Sequence, residues 1–174
     1  MKTKYFAFSG THGTGKSTQA YTLASHLKLK GKTVILLDEL ARECPFTINK
    51  EASIDTQLWI LCAQVKRELE LKGKYEYVIC DRSVIDTLAY TYAVGLHIDV
   101  GCWVDYASYN YHEVFFIDHK AFNFQIADGV RDLDPEFREN VSEYILDLYE
   151  EYNIPYNNIK EASEIQTITN RWIL

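Results

Sequence analysis

The stretch "YFAFSGTHGTGKST", Tyr5 to Thr18, decides the architecture. Tyr5 to Phe8 are apolar with no helical period, the pattern of a strand buried on both faces. Gly10, Gly13 and Gly15 follow at once. From Lys16 the period changes: Ala20, Leu23, Ala24 and Leu27 share one helical face, and Gly31 supplies a stop signal. "TVILLDE", Thr33 to Glu39, reads as a second buried strand. Strand, glycine turn, helix and strand in this order imply parallel pairing through a right-handed crossover.

The alternation continues outward. Asp55 to Leu71 has helical spacing, with Leu58, Leu61, Cys62, Val65 and Leu69 as its expected inner face. "YEYVICD", Tyr75 to Asp81, is a third strand. "SVIDTLAYTYAVG" is helical to near Gly95, and "VDYASYN" holds a second helix. Glu113 to Asp118 form a fourth strand. His119 to Asp134 show no period and contain Asp-Gly, so they read as a loop or lid. Asp134 then caps a helix that has Pro135 at its first position. "IPYNNIKEA" accommodates a fifth strand and the last residues a final helix. The expectation is a single α/β domain over residues 1–174, with about five parallel strands flanked by helices and a short lid near 119–134.

The bulk properties narrow the class. The 174 residues are 47% hydrophobic and 25% charged, the balance of a globular domain. A net charge of −7 argues against a general nucleic-acid binder, because phosphate neutralisation needs a basic surface, although a local basic pocket remains compatible with it. None of the four cysteines, Cys44, Cys62, Cys80 and Cys102, makes a Cys-x-x-Cys pair, so buried reduced thiols are expected rather than zinc. The apolar runs are too short for a membrane span, and the N-terminal one too short for a signal peptide. A cytoplasmic location without a membrane partner is expected, and a homodimer is the assembly to consider.

The nine residues Gly10, Thr11, His12, Gly13, Thr14, Gly15, Lys16, Ser17 and Thr18 contain G-x-x-x-x-G-K-[ST] between a strand and a helix. Glycines let successive backbone N–H groups turn inward on phosphate oxygens, and the helix that begins there adds its positive dipole end. Lys16 is placed to reach the β- and γ-phosphates and the Ser17 hydroxyl to ligate Mg²⁺. This is the pattern of a nucleoside-triphosphate cradle.

Three further features point to phosphoryl transfer. Asp81 ends the third strand, where a carboxylate beside the loop can hold Mg²⁺, and Arg82 next to it can grip an acceptor phosphate or the migrating group. In "DELAR", Glu39 and Arg42 fall one helical turn apart at the sheet's carboxyl edge, and a carboxylate there, Glu39 or its competitor Asp38, can take a hydroxyl proton or hold a sugar. "ADGVRDLDPEFR" supplies Arg131 and Arg138, suited to a lid that closes over phosphates and excludes water. For the acceptor, the helix from Asp55 offers Gln57, Trp59 and Gln64, and Phe46 and Tyr90 are candidates to stack on a base.

Five pieces now carry a resemblance: "GTHGTGKST", "DELAR", "VICDRSVIDTLAY", "NYHEVFFI" and "DGVRDLDPEFR". In this order they resemble the thymidylate-kinase-like family of P-loop nucleoside and nucleotide kinases, in particular small bacterial and phage ATP-binding proteins related to nicotinamide riboside kinase domains. The resemblance implies a P-loop NTPase fold, ATP with Mg²⁺ at the loop, and a small nucleoside or nucleotide acceptor held between Glu39, Arg42 and Arg82. Family position adds Gln64 to the acceptor site and makes Glu39 the catalytic base of a deoxynucleoside kinase. Two departures stand out. Deoxynucleoside kinases carry Glu-Arg-Ser where this chain has Asp81-Arg82-Ser83, and the Pro-Gly-Gly stretch of thymidylate kinases is missing from "DELARECPF". Deoxynucleotides are the first acceptor class to expect. Nicotinamide riboside, a hydroxymethylated base in phage DNA and a regulatory ATPase without acceptor are the alternatives. A GTP switch is disfavoured, because Ala52 stands where the Asp of Asn-Lys-x-Asp would have to follow Asn49.

Overall fold

The computed structural model describes residues 2–120 and 134–173. Its elements are β1 (Lys4–Ser9), α1 (Lys16–Leu29), β2 (Val34–Leu37), α2 (Ile54–Leu71), β3 (Tyr77–Asp81), α3 (Val84–Ala93), α4 (Gly101–Asn110), β4 (Tyr111–Ile117), α5 (Pro135–Glu151), β5 (Asn157–Ile159) and α6 (Ala162–Asn170). The five strands pair in parallel in the order β2-β3-β1-β4-β5. β1 is central, so "FAF" is covered on both faces, as its unbroken apolar run requires. The chain leaves β1 toward β2 on one side and later crosses to β4 on the other. This reversal opens a crevice at the strands' carboxyl ends, where all the loops of interest emerge.

Helices cover both faces. Leu23 and Leu27 of α1 and Ile165 of α6 pack with Phe6, Phe8 and Phe115 on one side. On the other, Leu88 of α3 and Val141 and Ile145 of α5 build the larger core against Val114 and Phe116. Local chemistry sets the helix starts. Ser53 and Thr56 form a capping box on α2, and Ser83 and Asp86 form one on α3. Asp134 accepts the Glu136 and Phe137 N–H groups ahead of Pro135 on α5. α1, like α4 and α6, has no side-chain cap, and its N-cap is Gly15 at φ 80°.

The inner face expected for α2 is corrected. Leu58, Cys62 and Leu69 are exposed, while Thr56, Gln57, Ile60, Leu61, Gln64 and Glu68 are buried. The helix is rotated because its inward face builds a polar cleft and a polar network. Leu61 is buried as expected and Val65 packs against the core, so apolar periodicity alone selected a stripe that is right in part. Cys80 is buried as expected, whereas Cys62 and Cys102 are exposed. Arg131 and most of the expected lid lie outside the described residues. Among the described residues no helix is long and apolar enough to cross a membrane.

Candidate active site

The glycine loop is held from three directions. Gly10 has φ 139°, and a Cβ there would lie 2.6 Å from the Ile117 carbonyl oxygen at the end of β4. Only glycine lets the loop pass that close. The Gly10 N–H donates to Asp86 Oδ1 on α3 at 2.8 Å. From α5, Arg138 Nη2 donates to the Gly13 carbonyl at 3.4 Å. Arg138 is therefore buried against the loop rather than spread over an open helix face. Inside the loop, Lys16 Nζ donates to the Thr11 carbonyl at 2.5 Å. Burial, reinforced by repulsion from Arg82, lowers the Lys16 ammonium to about 7.

A cleft of about 230 Å³ opens above the loop. His12 to Thr18 form its floor, Glu39 and Arg42 one rim, Asp81 and Arg82 the back, and α2 and α3 the far wall. Ser17 Oγ donates to Asp81 Oδ2 at 2.5 Å, so two hard oxygen ligands meet beside the loop lysine. Burial raises the Asp81 carboxyl, opposed by Lys16.

Arg82 is the hub. Its backbone sits at φ 118°, a region that L-residues occupy only when their surroundings force it. Its Nε donates to Glu39 Oε1 at 2.5 Å and its Nη1 to the Gly10 carbonyl at 3.3 Å. The guanidinium carbon lies 5.0 Å from the centre of the Tyr90 ring. Arg42 Nε donates to the other Glu39 oxygen at 3.1 Å. Burial alone would raise the Glu39 carboxyl, but Arg82 and then Lys16 outweigh it and hold it at about 2. His12 Nδ1 lies 3.0 Å from the Tyr90 hydroxyl, and its ring stacks on Phe137 of α5.

Four expected residues lie elsewhere: Phe46 and Trp59 do not line the cleft, and neither do Asp38 and Gln64. Asp38 is exposed and accepts from the Tyr21 hydroxyl at 2.9 Å, outside the cleft that Glu39 lines. Gln64 is buried behind the cleft, where its Nε2 donates to Glu68 Oε1 at 2.6 Å and to the Arg82 carbonyl at 3.4 Å. The α2 amide that does line the cleft is Gln57, which is buried and, among the described residues, has no hydrogen-bond partner for its Oε1. Asp86, which joins the glycine loop to the Arg82 turn, was legible as the fourth residue of Ser83-x-x-Asp86. Glu68 carries no such mark in "VKRELEL".

A family model described as an AAA domain matches residues 5–165. The chain belongs to the AAA-domain family. This AAA-domain chain is 29% identical over 182 residues to a protein named "Probable thymidylate kinase" from Sulfurisphaera tokodaii, covering 98% of this chain and 94% of that protein. It is 34% identical over 114 residues to the thymidylate kinase of Geobacillus sp. WCH70, covering 57% of this chain and 54% of that one. In fold it matches thymidylate kinase from Ehrlichia chaffeensis with a TM-score of 0.71 at 21% identity, covering 97% and 99% of the two chains. It matches deoxyadenosine kinase from M. mycoides with a TM-score of 0.64 at 18% identity, covering 97% and 98%. The AAA-domain chain is thus related in sequence and in fold to P-loop nucleoside and nucleotide kinases, and it is a kinase-like enzyme of that kind.

Proposed function

We propose that the chain is an ATP- and Mg²⁺-dependent kinase that phosphorylates a nucleoside monophosphate, with deoxynucleotides as the acceptor class. The observation that carries this reading is the Arg42–Glu39–Arg82 constellation at the acceptor side of the loop. Two guanidiniums share one carboxylate there, and a phosphate dianion is the ligand that suits both forks better. A carboxyl held at about 2 is a weak proton acceptor near neutral pH. A hydroxyl acceptor needs a base, whereas a monophosphate oxygen is already ionised. The similarity in sequence to proteins named thymidylate kinases supports the same choice.

The residues fit ATP and Mg²⁺. α1 begins without a side-chain cap, so its first amides face the cleft ready for phosphate oxygens. Ser17 and Asp81 would hold Mg²⁺ from two sides. An ion held by them would supply positive charge to offset that of the phosphate oxygens. Lys16 exchanges its bond to the Thr11 carbonyl for phosphate oxygens. Arg82, fixed between Gly10 and Glu39, is placed to stabilise charge on the group in transit. Ile60 and Gln57 receive the base end of the acceptor, and the unpartnered Gln57 oxygen there accepts an N–H from its edge.

The test is ADP release from ATP–Mg²⁺ across deoxynucleosides, deoxynucleoside monophosphates, nicotinamide riboside and hydroxymethyluracil-containing DNA, with Lys16→Ala as control. Release that depends on a monophosphate and vanishes in Lys16→Ala is expected. Glu39→Gln should then lower turnover by less than about tenfold, against about a hundredfold or more if the acceptor were a hydroxyl. Acceptor-independent release would mark a regulatory ATPase instead.

A further inference from the structure

Behind the cleft, Glu68 of α2 is fully buried. Its carboxylate accepts four hydrogen bonds. Gln64 Nε2 at 2.6 Å and the Tyr111 hydroxyl at 2.9 Å reach Oε1. The Tyr106 hydroxyl at 2.8 Å and Asn110 Nδ2 at 2.7 Å reach Oε2. That fills the roughly four lone-pair sites of a carboxylate. Among the described residues no Lys or Arg forms an ion pair with it. Burial accordingly pushes its carboxyl upward, against the pull of the Tyr106 and Gln64 hydrogen bonds. A buried carboxylate is a costly way to fill space, since apolar side chains of the same volume pack there with less penalty.

Two of the four donors lead to the Arg82 turn. Gln64 Nε2 also donates to the Arg82 carbonyl at 3.4 Å, and the Tyr111 hydroxyl accepts the Val84 N–H at 3.0 Å. The network thus holds the two successive peptides that follow the Arg82 Cα, Arg82–Ser83 by its carbonyl and Ser83–Val84 by its N–H. This is where the chain keeps a long side chain at φ 118°, and such a conformation persists only where the surroundings over-determine it. Glu68 does not line the cleft and touches no reacting group.

We propose that Glu68 is a positioning residue that, through Gln64 and Tyr111, holds Arg82 in its left-handed conformation and so aims its guanidinium into the phosphoryl-transfer site. The catalytic part of this inference rests on the kinase reading above; the conformational part does not. Two variants test it. Glu68→Gln removes two acceptor sites from the carboxylate, and Tyr111→Phe removes a single hydroxyl and serves if Glu68→Gln fails to fold. Each is made in the native chain and in Arg82→Ala. In the native chain each should lower kcat tenfold or more while KM for ATP stays within twofold. In the Arg82→Ala background each should change kcat by less than twofold. Equal losses in both backgrounds, or no loss of kcat in the native chain, would overturn the proposal. Amide hydrogen exchange is the second readout and needs no acceptor. The Arg82, Ser83 and Val84 amides should exchange at least tenfold faster in both variants, with β1 amides unchanged. Unchanged exchange at those three overturns the proposal. If the native chain turns over no acceptor while those amides still loosen, the kinase reading fails and the positioning role stands.

Discussion

Lys16 combines two properties that oppose each other without a ligand. It is buried in the loop and lies near Arg82, so its ammonium falls to about 7. ATP phosphates demand the charged form. Below pH 7 the free protein already carries that proton. Above it, ATP binding must also take up a proton, so affinity weakens by up to about tenfold per pH unit until the pKa of the bound state is reached. Calorimetry at pH 6.5 and pH 8.5 should therefore give a Kd that rises with pH, with proton uptake near one at the higher value. A flat Kd would show that Lys16 stays charged throughout. Gln57 presents a buried Oε1 to the cleft without a partner among the described residues. Gln57→Leu should raise the acceptor KM about tenfold, the worth of one buried hydrogen bond, and leave the KM for ATP unchanged. Steady-state kinetics with each substrate varied separately will show this.

At the scale of elements, α2 links the two halves of the site. Its first turn presents Thr56 and Gln57 to the cleft, and Thr56 Oγ1 donates to the Thr47 carbonyl of the preceding loop at 3.0 Å. Its last turns carry Gln64 and Glu68 behind Arg82. The capping box fixes where the helix starts and hence which residues face inward. Ser53→Ala should cost about 1 kcal/mol of stability, read as a lower urea midpoint with unchanged m-value. The helix was legible from its period; the box was not, because Thr56 stands where the usual pattern has Glu or Gln. Nor was the rotation of the helix. An amphipathic pattern assigns the apolar stripe to the interior, but here much of the inward face is polar because it lines the cleft and builds the Glu68 network. Leu58, Cys62 and Leu69 were therefore expected on the wrong side, and of the two glutamines offered for the acceptor Gln57 lines the cleft while Gln64 stands behind it. The β1–loop–α1 unit was read without error of type, since a backbone phosphate cradle depends on local glycine placement and on the elements directly before and after it.

For the whole molecule, the site sits where β1 and β3 end and is braced by α2, α3 and α5. A ligand that binds only this assembled state stabilises all of it. ATP–Mg²⁺ at a hundred times its Kd should add about 2.7 kcal/mol to unfolding, visible as a higher Tm that scales with ATP concentration, and Lys16→Ala should erase the shift. A Tm indifferent to ATP would mean that the cleft does not bind it.

By itself the sequence determined the order of elements, the parallel sheet and the glycine loop between β1 and α1, because each follows from residues adjacent in the chain. It also placed Asp81, Arg82 and Glu39 at the right edge of the sheet, because strand ends are legible. Only the tertiary structure decided that Arg82 clamps Glu39, that Gln57 and not Gln64 lines the cleft, that Arg138 reaches the Gly13 carbonyl, and that Glu68 stands behind Arg82. Each of these depends on how a helix is rotated against the sheet or on contacts between residues far apart in the chain. Neither is encoded in a local period; both are set by which packing satisfies the buried polar groups together.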